Sequence, residues 1–154
     1  MRFDYSAIVS SSPDTGEPMV IFRPEVQIKV HGPKGSGDFL TLVDTGADNT
    51  ILPKSIARDL GIPLIAGKGP AATAFGGQEI TLSYADVELE LVHPNETLRW
   101  LARVYFVAGD ADKETLILGH QGFLDYFTAM FMGEDCALDL QANAYLPRIA
   151  DKNA

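Results

Sequence analysis

Residues 40–52 read Leu-Thr-Leu-Val-Asp-Thr-Gly-Ala-Asp-Asn-Thr-Ile-Leu, an acidic turn between two apolar segments. The first four residues are aliphatic or β-branched and predict a buried strand, and the last three predict the start of another. Asp44 and Asp48 lie between these strands with Gly46, which permits a tight turn. A carboxylate placed directly after a buried strand has two interpretations, the cap of a turn or a functional group held at the floor of a barrel.

The length and composition of the chain indicate one globular domain. A chain of 154 residues is long enough to bury a core but too short for a two-lobed enzyme. No apolar run reaches the roughly 18 residues that a membrane span needs. The N-terminus also lacks the basic start and apolar core of a signal peptide. We therefore expect a soluble, cytoplasmic protein that does not associate with membranes.

Charge and cysteine content exclude further classes of function. The formal net charge of -9 argues against a nucleic-acid partner, because binding a phosphate backbone needs clustered Lys and Arg. The single cysteine, Cys136, excludes an internal disulfide and cannot form a metal site by itself. Its favoured interpretation is a small buried hydrophobe.

The sequence patterns predict an all-β domain with one or two short helices. Alternation and apolar runs predict strands over residues 3–9, 19–22, 25–31, 38–43, 62–65, 79–92, 98–108, 115–118, 127–132 and 136–140. Helical turns are predicted over residues 54–60, between Pro53 and Gly61, and within residues 120–127. The Phe75-Gly76-Gly77-Gln78 segment predicts a hairpin tip, since paired glycines supply the positive φ of tight turns.

Two motifs together resemble the retropepsin-like, or retroviral-type, aspartic proteases. They are Leu42-Val43-Asp44-Thr45-Gly46-Ala47-Asp48 and, later, Leu116-Ile117-Leu118-Gly119 followed by a helical segment. In that family the first motif carries the catalytic aspartate and the second crosses beneath it. Residues 120–127 look more like the bacterial and other cellular single-domain members than the viral ones. The resemblance implies a single-lobe, closed acid-protease barrel over residues 25–146, preceded by an extension, 1–24, that is a candidate for part of the dimer sheet, and followed by a polar tail, 147–154.

The tripeptide Asp-Thr-Gly occurs a second time, as Asp14-Thr15-Gly16. This copy lies in a Ser/Pro loop without an apolar strand before it, and we interpret it as a surface turn. Only 30 residues separate Asp14 from Asp44, too few for the two lobes of a pepsin-like enzyme. The chain therefore supplies one working aspartate.

The resemblance implies an aspartic endopeptidase that acts as a homodimer on a peptide or protein substrate, with no metal and no cofactor. Asp44 and its symmetry mate would meet on a two-fold axis and share a proton. Thr45 would bond across that axis and Gly46 would admit the substrate backbone, which completes the catalytic set. The residues implied in substrate binding are Ala47, Asp48, the flap residues Phe75, Gly76 and Gly77, and Ile117.

Some features leave alternatives open. Retroviral enzymes carry an arginine after the second motif, where this chain has His120, and a contact between His120 and Asp48 is one candidate for replacing its ion pair. Asp48 as a turn cap and Ile117 as a plain core residue also remain. The alternative functions are a catalytically silent dimerisation or peptide-binding module of the same fold, and a β-barrel ligand-binder in which Asp44 only caps a turn. An ionisable carboxylate in an apolar run argues against the silent module.

Overall fold

The computed structural model describes residues 1–67, 72–73, 77, 79–80 and 82–149. Its strands are β1 (Arg2–Asp4), β2 (Ser6–Ser11), β3 (Pro18–Arg23), β4 (Glu25–Gly32), β5 (Gly35–Val43), β6 (Ile51–Pro53), β7 (Ile65–Ala66), β8 (Ala72–Thr73), β9 (Glu79–Ile80), β10 (Ser83–His93), β11 (Glu96–Val107), β12 (Ile117–Leu118), β13 (Phe127–Met132) and β14 (Ala137–Ala142). The helix α1 spans Lys54–Leu60, and a 3-10 turn spans Leu124–Tyr126. Within the described ranges no helix combines the length and the apolar character needed to cross a membrane.

Six strands close into a barrel, which confirms the predicted fold class. β4 pairs antiparallel with β5 and β10, and β10 pairs antiparallel with β11. β11 runs parallel to β6, and β12 lies between β6 and β5 and completes the ring. β12 is parallel to β5, with Ile117 opposite Leu42 and Leu118 opposite Val43. The barrel therefore brings the two sequence motifs side by side.

Smaller sheets lie outside the barrel. β1 pairs with β14, and β14 pairs with β13, so the first and last strands of the described chain meet in one three-stranded sheet. β2 and β3 form a hairpin of their own. β8 pairs antiparallel with β9, on either side of the predicted hairpin tip.

An aromatic cluster fixes the segment after β12 against the barrel. Trp100 on β11 and Phe123 are fully buried. The ring centroids of Phe123 and Phe127 are 4.7 Å apart, and that of Trp100 lies 5.6 Å from Phe127 and 6.0 Å from Phe123. The indole Nε1 of Trp100 also donates a hydrogen bond to the Gly122 carbonyl, at 3.0 Å. The packed rings and this hydrogen bond therefore hold residues 119–127 against the barrel.

The predicted helix over residues 54–60 is confirmed as α1. Gly61 ends it with a φ of 69°, in the left-handed region where glycine carries no steric penalty. The helix predicted within residues 120–127 is reduced to the 3-10 turn. Gly122, at a φ of 94°, and Phe123, at -139°, depart from helical geometry directly before it.

Three other local predictions were wrong in part. The strand predicted over residues 3–9 is divided at Tyr5, because β1 joins the terminal sheet whereas β2 pairs with β3. The strand predicted over residues 62–65 is limited to β7, since Pro63 cannot donate to a ladder. Cys136 is half-buried in the turn before β14 rather than placed in the core.

Replacing Phe123 by alanine is expected to lower the free energy of unfolding by about 3–5 kcal/mol, because a fully buried ring is removed from the cluster. Urea unfolding at a fixed protein concentration measures the change. Leu101→Ala is the control: this side chain is 49% exposed, so its loss should change the free energy by no more than about 0.5 kcal/mol. Equal losses for the two variants would contradict the structural role of the cluster.

Candidate active site

Residues 44–48, here called the Asp44 turn, follow directly from β5. The Asp44 amide donates to the Leu118 carbonyl at 3.0 Å, and the Val43 amide donates to the Pro24 carbonyl at 2.9 Å. Backbone on two sides therefore fixes the position at which β5 ends. The contact with Pro24 continues the antiparallel register of β4 and β5, in which Glu25 pairs with Leu42.

The carboxylate of Asp44 shapes its own turn. Its Oδ1 accepts a hydrogen bond from the Gly46 amide at 2.8 Å, and its backbone carbonyl accepts one from the Ala47 amide at 3.3 Å. This is the Asx-turn geometry expected of a short acidic side chain. Among the described residues none hydrogen-bonds the other oxygen, Oδ2. One carboxylate oxygen therefore stabilises the turn, and the other is available to a ligand.

The Asp44 turn is open to solvent on one side. Asp44 and Ala47 are half-buried, whereas Thr45, Gly46 and Asp48 are exposed. The turn therefore offers its side chains to a second molecule, while the strand before it is buried at Val43. Both carboxylates of the motif are accessible to a ligand.

The backbone that follows β12 supports the turn from beneath. Three hydrogen bonds link the two segments: His120 N to Ala47 O at 2.9 Å, Gln121 N to Asp48 O at 2.9 Å, and Thr50 N to Gln121 O at 3.0 Å. A Cβ built on Gly119 would lie 2.3 Å from the Asn49 carbonyl oxygen and 2.7 Å from that of Ala47. Glycine is therefore required at this position, because backbone atoms occupy the space of any side chain.

The His120 ring contacts Thr45 of the turn and not Asp48, the partner considered for it. Its Nε2 lies 3.1 Å from the Thr45 carbonyl oxygen, and its Nδ1 lies 4.0 Å from Asp125 Oδ1. Among the described residues the ring forms no hydrogen bond or salt bridge with the Asp48 carboxylate, so the candidate His120–Asp48 pair is not formed. The His120 amide donates to the Ala47 carbonyl, and the ring lies beside the Thr45 carbonyl instead.

Ile117 lies beside the turn in a half-buried apolar patch. It pairs in register with Leu42 on β5 and with Ile51 on β6, and both of these are half-buried as well. Side chains at paired positions share one face of a sheet, and the neighbouring Leu118 is buried on the other face. Ile117 is therefore not a plain core residue.

A family profile described as Aspartyl protease matches residues 26–120, which is more than half of the chain and includes the Asp44 turn and Gly119. The chain belongs to this aspartyl protease family. No curated protein matches the chain. The profile covers both motifs that carried the resemblance, which confirms that the chain is an aspartic protease by family.

Solved structures that are similar to this aspartyl protease include the following two. One is EIAV protease complexed with the inhibitor HBY-793, with 18% identity, a TM-score of 0.42, and coverage of 64% of this chain and 82% of that chain. The other is a retropepsin-like aspartic protease from Rickettsia conorii, with 22% identity, a TM-score of 0.46, and coverage of 90% of this chain and 95% of that chain.

The predicted flap of the protease is described only in part. Phe75 and Gly76 lie outside the described residues. Gly77 is described: it is exposed and has a φ of 78°, in the left-handed region that a tight turn uses. Within the described ranges, no group of three His, Cys, Asp or Glu side chains is arranged to hold a metal ion.

The second Asp-Thr-Gly of the protease lies in the turn between β2 and β3. Asp14 and Thr15 are exposed, and Gly16 has a φ of 72°. The turn is closed by hydrogen bonds from the Ser12 amide to the Glu17 carbonyl and from the Gly16 amide to the Ser12 carbonyl, both at 2.8 Å. The predicted surface turn is confirmed.

Gly119→Ala is expected to lower the free energy of unfolding by about 1–3 kcal/mol, with a fall of several degrees in Tm, because the new methyl group would overlap two carbonyl groups of the Asp44 turn. Thermal unfolding measures the effect. Gly133→Ala is the matched control, since a Cβ there would meet nothing within 4 Å. Indistinguishable Tm values for the two variants would show that the close approach does not constrain the turn.

Proposed function

We propose that this aspartyl protease is an endopeptidase that acts as a homodimer, with an active site assembled from the Asp44 of two copies. The proposal rests on one observation, that only one of the two Asp-Thr-Gly turns is held against the barrel by backbone hydrogen bonds. Asp44 is held at the barrel by backbone contacts and keeps one carboxylate oxygen available, whereas Asp14 lies in an exposed surface turn. Acid–base hydrolysis of this type needs two carboxylates, so a second copy must supply the other.

In the proposed mechanism the two carboxylates have different protonation states. One Asp44 is ionised and takes a proton from a water molecule, which attacks the scissile carbonyl. The other is protonated and donates a hydrogen bond to the carbonyl oxygen. Two negative charges within reach of one water molecule would repel each other, so the two carboxylates share one proton. Activity at acidic to near-neutral pH follows from this arrangement.

The Gly46 amide has a defined part in this chemistry. Its hydrogen bond to Asp44 Oδ1, at 2.8 Å, fixes the plane of the carboxylate. Oδ2 is then directed to the water and to the second Asp44. The exposed side chain of Thr45 hydrogen-bonds the turn of the second copy. The His120 ring of the same chain restrains the Thr45 carbonyl group.

The substrate is a peptide bound in an extended conformation between the two copies. Ala47 and the exposed Asp48 line the cleft, and the Asp48 carboxylate accepts a hydrogen bond from the peptide backbone. The half-buried patch of Ile117 and Leu42 provides an apolar subsite next to Asp44. Phe75, Gly76 and Gly77 form the flap that closes over the peptide.

Asp44→Asn is expected to reduce peptide cleavage at least about 100-fold, the order of effect of a general acid–base group. Asparagine keeps an oxygen for the Gly46 amide but cannot take a proton from water. An unbiased peptide library assayed from pH 3 to pH 8 measures the loss. Asp14→Asn is the matched control and should cleave as the wild type does, because its side chain lies in the surface turn.

Two results would overturn this assignment. Cleavage that persists in the Asp44→Asn variant would place the catalytic carboxylate elsewhere. Loss of cleavage in a folded Asp14→Asn variant would show that the second tripeptide takes part. Circular dichroism of both variants checks that the barrel is intact.

A further inference from the structure

The ring of His120 faces a hydrogen-bond acceptor with each of its two nitrogens. Nε2 lies 3.1 Å from the Thr45 carbonyl oxygen, and Nδ1 lies 4.0 Å from Oδ1 of Asp125. A carbonyl oxygen and an ionised carboxylate only accept, so each nitrogen interacts favourably only when it carries a proton. The neutral ring has one such proton, whereas the imidazolium form has two and matches both partners.

His93 has a different pair of partners and provides a comparison within the same chain. Its Nε2 lies 3.2 Å from the Arg2 carbonyl oxygen, and its Nδ1 accepts a hydrogen bond from the Asn95 amide at 3.3 Å. A nitrogen that accepts from a backbone amide cannot carry a proton itself, so His93 matches the neutral ring with its proton on Nε2. The contacts of the two histidines therefore differ in what Nδ1 faces.

Backbone hydrogen bonds hold the ring of His120 and both of its partners in place. The Asp125 amide donates to the His120 carbonyl at 3.0 Å, and Asn143 Nδ2 donates to the Asp125 carbonyl at 2.9 Å. On the other side, the His120 amide donates to the Ala47 carbonyl at 2.9 Å. The ring therefore lies between the Asp44 turn and the 3-10 turn, with backbone contacts to both.

The sequence on both sides of the ring supplies acidic groups and no fixed positive charge. Asp44 and Asp48 belong to the turn that the ring contacts, and Asp125 faces Nδ1. Residues 35–53 and 114–147, which include both segments together with β13 and β14, contain no lysine or arginine. Nearby negative charge favours the charged form of a base, and histidine gains its charge between pH 8 and pH 5. His120 is the only side chain in these two ranges that can become a cation.

We propose that His120 is a positioning residue that acts as an imidazolium, linking the Thr45 carbonyl to the Asp125 carboxylate and so restraining the Asp44 turn. Its consequence for cleavage rests on the proposed function, because Thr45 directly follows Asp44. A charged donor forms a stronger hydrogen bond than a neutral one, so the turn is held most firmly at acidic pH. As the pH rises, the exposed ring loses a proton to solvent, and Nδ1 then presents a lone pair to Asp125.

Nitrogen-15 NMR of the ring nitrogens tests the protonation state and requires no catalytic activity. The chain has three histidines, and the single variants His120→Gln and His93→Gln assign the signals. At pH 6.5 we expect the doubly protonated fraction of His120 to be at least about twice that of His93, because only His120 faces an acceptor with both nitrogens. Asp125→Asn should remove most of this difference.

The ratio of kcat/KM between the wild type and His120→Gln tests the effect on cleavage. Glutamine keeps an N–H for the Thr45 carbonyl but cannot become a cation, and the ratio cancels the pH dependence of the Asp44 pair, which both proteins share. We expect the wild type to be about fivefold more active at pH 5.5 and equal within about 1.5-fold at pH 8. His120→Arg stays charged and should keep its advantage over His120→Gln at both pH values.

His93→Gln is the matched control, since it makes the same exchange at a ring that contacts Arg2 and Asn95. Its kcat/KM relative to the wild type should be the same at pH 5.5 and pH 8. Far-UV circular dichroism checks that each variant is folded.

The outcomes separate this inference from the proposed function. Equal protonated fractions for His120 and His93, or a ratio of wild type to His120→Gln that does not change with pH, would overturn the imidazolium link while the paired Asp44 mechanism stands. Cleavage that persists in Asp44→Asn would overturn the proposed function, and the NMR measurement would still decide the protonation state of His120.

Discussion

The contact of Gly119 with the backbone of residues 47–49 is the constraint on which the candidate site depends. It allows the segment after β12 to cross directly beneath the Asp44 turn and to form three backbone hydrogen bonds with residues 47–50. The parallel pairing of β12 with β5 sets the level of the crossing, and the cluster of Trp100 and Phe123 holds the segment from the other side. The barrel core therefore determines where the carboxylate of Asp44 lies.

The proposed function needs a second copy of the chain. A single carboxylate with one available oxygen cannot act as acid and base together, so under that proposal the Asp44 turn supplies half of a site. Asp44 is half-buried and Thr45 beside it is exposed, so the side of the turn that a second copy would meet is open to solvent.

Local patterns in the sequence predicted the parts of the fold that local physics determines. The alternation of Val26, Ile28 and Val30 predicted β4, and Gly61 predicted the end of α1. The resemblance to the retropepsin-like proteases, and not a local pattern, implied that the segment ending in Gly119 crosses beneath Asp44. The contact of His120 with Thr45 was not predictable, because it depends on how the segment after β12 crosses the Asp44 turn, which lies far from it in the sequence. Phe75 and Gly76 stay predictions.

The central claim, that two copies of Asp44 form one active site, is tested most directly by mixing chains. Wild-type protein at a fixed concentration is equilibrated with increasing amounts of the Asp44→Asn chain, and peptide cleavage is measured. If the site needs two aspartates, random pairing should reduce activity to about half at equal amounts and to about a tenth at a ninefold excess of the variant. Activity that stays constant as the variant is added would show that one chain is a complete enzyme.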